Sequence, residues 1–183
     1  MLIALTKSRA HGFSLIELMI GLAIIAIMMG IAAPSFVTWM QNSQIRNAAE
    51  SVKSGLQRAR AEAVSQNTNV EFVLGLGTSW EVQLVDGTTI DSRSSGEGSV
   101  DVTIGVLPAG ATDPFNIESP TVTFDSFGGI AGNANGLDTI AQIDFDSPKL
   151  SAAESKELRV TIGFGGNTKM CDPNLAAPNP RAC

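Results

Sequence analysis

The stretch "HGFSLIELMIGLAIIAIMMGIAAP", His11 to Pro34, constrains this chain more than any other part of it. No charged residue occurs from Leu18 to Ile45, and the densest part, Leu18 to Val37, has about the ~20 residues that cross a bilayer as a helix. Lys7 and Arg9 precede the run and Arg46 is the first charge after it, so the positive-inside rule predicts a cytoplasmic N-terminus and an exported C-terminal part. Ala23, Ala26, Gly30 and Ala33 recur at helical spacing, a small-residue stripe that lets helix backbones approach closely. Pro34 removes a backbone donor and predicts a kink or local melting near the outer membrane face.

Near the start of the run stands one acid, Glu17. A carboxylate at a helix centre in lipid costs about 2.5 to 3.5 kcal/mol and usually has a partner, whereas near a helix end it can reach headgroup water. An ordinary secretory cut at "MGIAAPSF" is disfavoured, because Pro34 follows the last alanine and Ile31 stands where a small residue is wanted. A cut between Gly12 and Phe13 would instead keep the helix on the mature chain, with Glu17 as its fifth residue. The new α-amino group of Phe13 on a neighbouring subunit would then suit Glu17 as a cationic partner at similar depth.

Composition narrows the chemistry. The only histidine is His11, so a chain cut after Gly12 has no imidazole for His-based metal sites or for Ser-His or Cys-His catalysis. There is no tyrosine, no Gly-x-Ser-x-Gly and no glycine-rich phosphate loop. A formal net charge of −6 repels phosphate backbones and anionic headgroups except at a local patch. Losing Lys7 and Arg9 leaves 10 basic side chains against 18 acidic ones. Cys171 and Cys183 flank a loop carrying Pro173, Pro178 and Pro180, and in an exported chain such a pair forms a disulfide, worth roughly 3 kcal/mol.

Beyond the apolar run, Ile45, Ala49, Val52, Leu56, Ala59 and Ala63 share one helix face, and Asn67 is the expected stop. Arg58 and Glu62 form an i, i+4 pair on its solvated side. The period then changes to two, predicting strands around Val70–Leu74, Trp80–Leu84, Val100–Val106, Val122–Phe124, Ile143–Phe145 and Leu158–Phe164. "LGLGTS" and "VDGTT" read as tight turns; "RSSGEGS", "PAGATDPFNIESP" and "GGIAGNANGLD" read as loops. One long helix followed by antiparallel strands predicts an α+β fold, with the helix packed on a β-rich domain.

Asp144 and Asp146 lie on one side of a predicted strand, which could suit paired-carboxylate chemistry, but the reading preferred is two exposed acids on the solvent face opposite Ile143 and Phe145. Asp125, Asn133, Asn135 and Asp138 offer oxygen ligands in a glycine-rich loop that lacks EF-hand spacing. Turn geometry alone accounts for such a loop, so no metal and no cofactor is expected.

The residues "GFSLIE", behind a short basic leader ending in glycine and ahead of an uninterrupted apolar helix, resemble the prepilin peptidase site of type IV pilins and type II secretion pseudopilins, and Pro34 falls where that family has its proline. "LQRARAEAVSQNTNVEF", "SWEVQLVDG", "TVTFDSFG" and "LRVTIGFGGNTKMC" are similar to the FimT/GspH branch of minor pilins and pseudopilins. The resemblance implies a leader 1–12, cleavage after Gly12, N-methylation of Phe13, an assembly helix 13–37 in which Glu17 pairs, and a periplasmic domain 38–183 of two sheets on the helix, ending in the loop 171–183. It implies as partners other pilins, the prepilin peptidase and an inner-membrane assembly platform, and a place near the filament tip. Some relatives bind DNA through a basic motif near the C-terminus, and only Lys169 and Arg181 match it here. Two charges neutralise few phosphates, so nucleic acid is not the expected partner.

Overall fold

A computed structural model describes residues 12–109 and 120–183. The leader up to His11 and most of the loop "PAGATDPFNIESP" therefore lie outside the described residues. The chain divides into two compact units, Met1–Val37 and Thr38–Cys183.

Helix α1 runs Leu15–Gln66. It passes through Pro34 without melting, although the ring cannot donate to the carbonyl of Gly30 one turn back. Among the described residues, no single straight helix is long and apolar enough to cross a membrane; Leu15–Ile31 and Ala33–Gln66, which meet in a bend, are so only as a pair. The bend lies within one turn of Pro34, where the missing donor and the proline ring lead one to expect a kink. The helix ends where expected. Asn67 takes a positive φ of 50°, its N–H donates to Val64 O and that of Thr68 to Ala63 O, which is the Schellman arrangement for satisfying final carbonyls.

In the unit Thr38–Cys183, all six residues of the predicted apolar face are fully buried. They pack on two antiparallel sheets. One has the order β3-β2-β1-β5-β6, built from β1 (Val70–Leu74), β2 (Trp80–Leu84), β3 (Thr89–Arg93), β5 (Thr121–Phe124) and β6 (Ile130–Ala131). The other has the order β4-β7-β8-β9, from β4 (Thr103–Pro108), β7 (Ile140–Asp146), β8 (Leu158–Ile162) and β9 (Thr168–Cys171). Gly55 lets the helix lie close on the first sheet: a Cβ there would stand 2.7 Å from Phe72 Cε2. Trp80 tilts against Phe72, ring centroids 5.8 Å apart, and its Nε1 donates to Ser51 Oγ. Among the described residues, every member of the apolar core lies between Ile45 and Ile162, so this unit has an apolar core of its own.

Three strands escape the alternation rule for physical reasons. β3 reads "TIDSR" and is an edge strand with mostly exposed side chains, β6 has two residues, and β9 mixes polar and apolar side chains at another sheet edge. "GGIAGNANGLD" is therefore not wholly loop. Val100, expected in a strand, is 74% exposed and precedes β4, because Ser99 turns inward to bond Thr78 across a buried 2.7 Å contact. Phe164, expected to extend the last strand, lies on a turn instead: Gly163 N donates to Asn167 O and folds "LRVTIGFGGNTKMC" into the β8–β9 hairpin.

A polar network ties the start of the buried helix to the second sheet. Gln41 is buried, donates to Asp101 and accepts from Ser147 Oγ, while Lys149 Nζ lies 2.7 Å from Asp101. The Lys149 ammonium and then the Gln41 amide, by hydrogen bonding, hold the Asp101 carboxyl below its ordinary 3.8. A depressed folded pKa contributes stability above the ordinary value that is lost as pH falls through the folded one. Asp101→Asn is therefore expected to lower the urea midpoint of residues 38–183 at neutral pH and to match the unsubstituted domain once pH falls below both values. Parallel pH series of urea unfolding check this, and a gap that persists in acid counts against it.

Candidate functional site

Among the described residues, nothing lies within 4 Å of where a Cβ on Gly12 would stand, and Phe13 is 84% exposed. Ser14 caps the helix: its Oγ accepts from Glu17 N at 3.3 Å and its carbonyl from Leu18 N at 3.2 Å. Ser14 and Glu17 thus stand as in a capping box, with the carboxylate in the first turn where the helix dipole favours it. The pattern Ser-x-x-Glu was visible in the sequence, and it supplies a local reason for the acid beside any partner subunit. From Phe13 to Val37 the large apolar side chains are at least half exposed, among them Leu15, Leu22, Met29, Ile31 and Phe36. Pro34 is exposed as well.

Cys171 and Cys183 are joined, with Cα atoms 5.1 Å apart, as expected. The tail is folded back further by the Asp172–Ala182 bridge and by Asp172 N donating to Arg181 O at 2.7 Å. The two candidate DNA contacts part company here. Lys169 spends its ammonium on Ala182 O at 2.9 Å, whereas Arg181 is exposed and lines a cavity of about 430 Å³. Arg46, Lys156, Trp39, Leu158, Met170 and Asp172 line it too. Sequence reading missed Arg46 and Lys156 because they are far apart in the chain. Asn42 brings them together, donating to Glu154 O at 2.9 Å and accepting from Lys156 N at 2.7 Å, so one amide pins the segment before β8 to the helix.

The other candidates are occupied by structural work. Asp144 takes two bonds from Arg159, at 2.6 and 3.0 Å, and one from Gln142. Asp146 accepts from Ser147 N and Ser155 Oγ. Both carboxylates are thus bonded to donors on or beside their own sheet rather than aimed at a cleft. In the glycine-rich loop, Asp125 accepts from Phe127 N and Gly129 N and Asn135 from Leu137 N. Buried Asn133 bonds Thr121 O, Thr123 Oγ1 and Leu137 O. Asp138, the fourth oxygen donor considered, is exposed. Among the described residues no three His, Cys, Asp or Glu side chains gather as a metal site would require.

Residues 7–33 match the family described as "Prokaryotic N-terminal methylation motif", and residues 48–166 that described as "Type II transport protein GspH". No curated protein matches the chain. Among solved structures it is similar in fold to the type IV minor pilin FimU of Pseudomonas aeruginosa, with 16% identity, a TM-score of 0.50, and coverage of 77% of this chain and 98% of that one. A second crystal form of FimU aligns at 17% identity and a TM-score of 0.45, over 73% and 98% of the two chains. The GspH match spans most of the chain behind a methylation motif and on an α+β pilin fold, and the protein belongs to that family: it is a type IV pilin-like minor pilin or pseudopilin.

Proposed function

We propose that this subunit is cut between Gly12 and Phe13, methylated on the Phe13 amine, held in the inner membrane by residues 13–37 with residues 38–183 in the periplasm, and then drawn from lipid into a type IV pilus or type II secretion pseudopilus, where it acts in initiation or at the tip. The observation that carries this reading is the uncovered apolar surface from Phe13 to Val37. A surface of that extent needs lipid or neighbouring helices, since soluble chains rarely leave contiguous apolar patches beyond a few hundred Å² open to water. The same side chains serve both states, so transfer from bilayer to filament exchanges one apolar environment for another. Glu17 gives the transfer a register by facing the Phe13 amine of an adjacent subunit. Prepilin peptidase, other pilins and the assembly platform are the partners this implies.

Intact mass of the membrane-extracted protein tests the processing. The expected result is a chain beginning at Phe13 and carrying one added methyl group, with Gly12→Val remaining at full length. An uncut or unmethylated unsubstituted chain would sink the proposal.

DNA uptake is the less favoured reading. Of its two cations, Lys169 is engaged by Ala182 O, and Arg181 sits in a cavity rather than along a basic track.

A further inference from the structure

The cavity between Trp39 and Arg181 has a composition at odds with the rest of the protein. In a chain of net charge −6 it gathers three cations, Arg46, Lys156 and Arg181, around one acid, Asp172, over an apolar floor of Leu158 and Met170. Asp172 Oδ1 already accepts from Asn174 N at 2.9 Å. Arg46 lies 3.8 Å from Glu50, with both side chains more than half exposed, a pair of little energetic weight. Among the described residues, neither Lys156 nor Arg181 enters an ion pair. Trp39 is 65% exposed at the rim.

The pocket is also built rather than incidental. Lys156 is placed by the Asn42 clamp, and Arg181 by the disulfide and the Asp172 backbone bond. Its volume is within the range of sites that enclose small ligands. Trp39 is two residues beyond Val37, so at full chain reach it lies within about 7 Å of the end of the apolar run, however the domain is turned. An exposed tryptophan just beyond an apolar segment is the usual occupant of the headgroup layer, and arginine forks pair with phosphate oxygens.

We propose that this pocket binds the phosphodiester headgroup of an anionic phospholipid at the outer face of the membrane that anchors the chain. Arg46, Lys156 and Arg181 take the phosphate, while Leu158, Met170 and Trp39 cover the glycerol and upper chain. The apolar floor and the nearness of the membrane favour a lipid over a nucleic acid, whose backbone is tracked along an extended basic surface. Bound in this way, the domain is held down on the bilayer until the subunit is drawn into a filament, which requires the headgroup to be released.

The inference rests on the membrane-anchor reading, but its test needs neither cleavage nor assembly. Residues 38–183, which contain their own core, are mixed with vesicles of phosphatidylcholine alone or with added phosphatidylglycerol. Co-sedimentation and tryptophan emission are followed. Trp80 is buried and bonded to Ser51, so changes in emission report on Trp39. Binding is expected only with phosphatidylglycerol. The double substitution Lys156→Gln with Arg181→Gln should weaken it roughly 25-fold, about fivefold per cation. Lys53→Gln with Arg58→Gln removes the same charge elsewhere and should leave it within about twofold, below the fivefold expected of one pocket cation. Equal loss in both doubles, or equal binding to phosphatidylcholine, overturns the proposal. So does retention on duplex DNA without retention on phosphatidylglycerol vesicles. Saturation of the Trp39 signal by soluble glycerol phosphate as readily as by vesicles would mark a free-phosphate site and overturn the lipid assignment. If the anchor reading itself were wrong, salt would wash the full chain from membranes whatever the vesicle result.

Discussion

Gly166→Ala should destabilise residues 38–183 by about 3 kcal/mol, a large share of the roughly 5 to 15 kcal/mol that holds a domain folded. Gly166 has φ +72°, where an L side chain costs about 1 to 2 kcal/mol. A Cβ there would also stand 2.0 Å from Gly128 O, a backbone atom that cannot rotate away. The turns after β5 and β8 would have to separate. That separation would break Ile130 N to Phe164 O, at 3.0 Å, and the fork of Arg60, which donates to Gly128 O at 2.9 Å and Gly165 O at 3.3 Å. Such overpacking adds about 1 to 3 kcal/mol. Gly136→Ala is the matched control, since Gly136 has φ +73° with none of the described residues within 4 Å of its added Cβ and should show the backbone term alone. Thermal unfolding of both variants checks this: Gly166→Ala should fall by about 10 °C at 2 to 4 °C per kcal/mol, Gly136→Ala by about half of that. Equal shifts would mean the two turns are not tied as described.

Glu17→Gln should insert in the membrane and be cut normally, yet enter filaments roughly 30-fold less than the unsubstituted chain. The substitution separates two roles of the same carboxylate. Gln serves at the third position of a capping box as Glu does, so the helix start is kept while the charge is lost. In the bilayer, the acid stands in the first turn, can reach headgroup water, and gains about 0.3 to 1 kcal/mol from the helix dipole. Among packed helices that water is gone, and the dipole falls short of the 2.5 to 3.5 kcal/mol a bare carboxylate costs in an apolar setting. In the proposed pairing the Phe13 ammonium of an adjacent subunit offsets that cost; Gln removes the cost but leaves the ammonium unpaired among apolar helices, at about 2 kcal/mol, which at 1.4 kcal/mol per tenfold sets the expected loss. Quantitative immunoblotting of sheared filaments against total membrane protein measures it. If Glu17→Gln assembles normally and Glu17→Ala does not, capping is the residue's whole contribution.

The parts of the fold that were legible share one property: each is set by neighbours in the chain. The buried stripe from Ile45 to Ala63 follows from the helical period, and the strands Val70–Leu74 and Trp80–Leu84 from alternation over a covered face. Asn67 was legible as a stop because few residues other than glycine tolerate a positive φ. β3, β6 and β9 were not legible, since an edge strand is held by backbone bonds to a partner and need not alternate. Phe164 followed the alternation of Leu158, Val160 and Ile162 by pattern, yet the hairpin turn at Gly163 decides its place.

The candidate sites divide in the same way. The proposed Gly12–Phe13 cut, the apolar segment and Glu17 are linear features, because a peptidase and a bilayer would meet the chain as a continuous segment. The sequence by itself therefore determined the methylation motif, the helix and the class of fold. Only the tertiary structure decided that Arg46, Lys156 and Arg181 line one cavity while Lys169 turns to Ala182. Such groupings depend on where Asn42 pins a distant segment and where the disulfide returns the tail. Coulomb attraction depends on distance in space, which separation along a folded chain does not record.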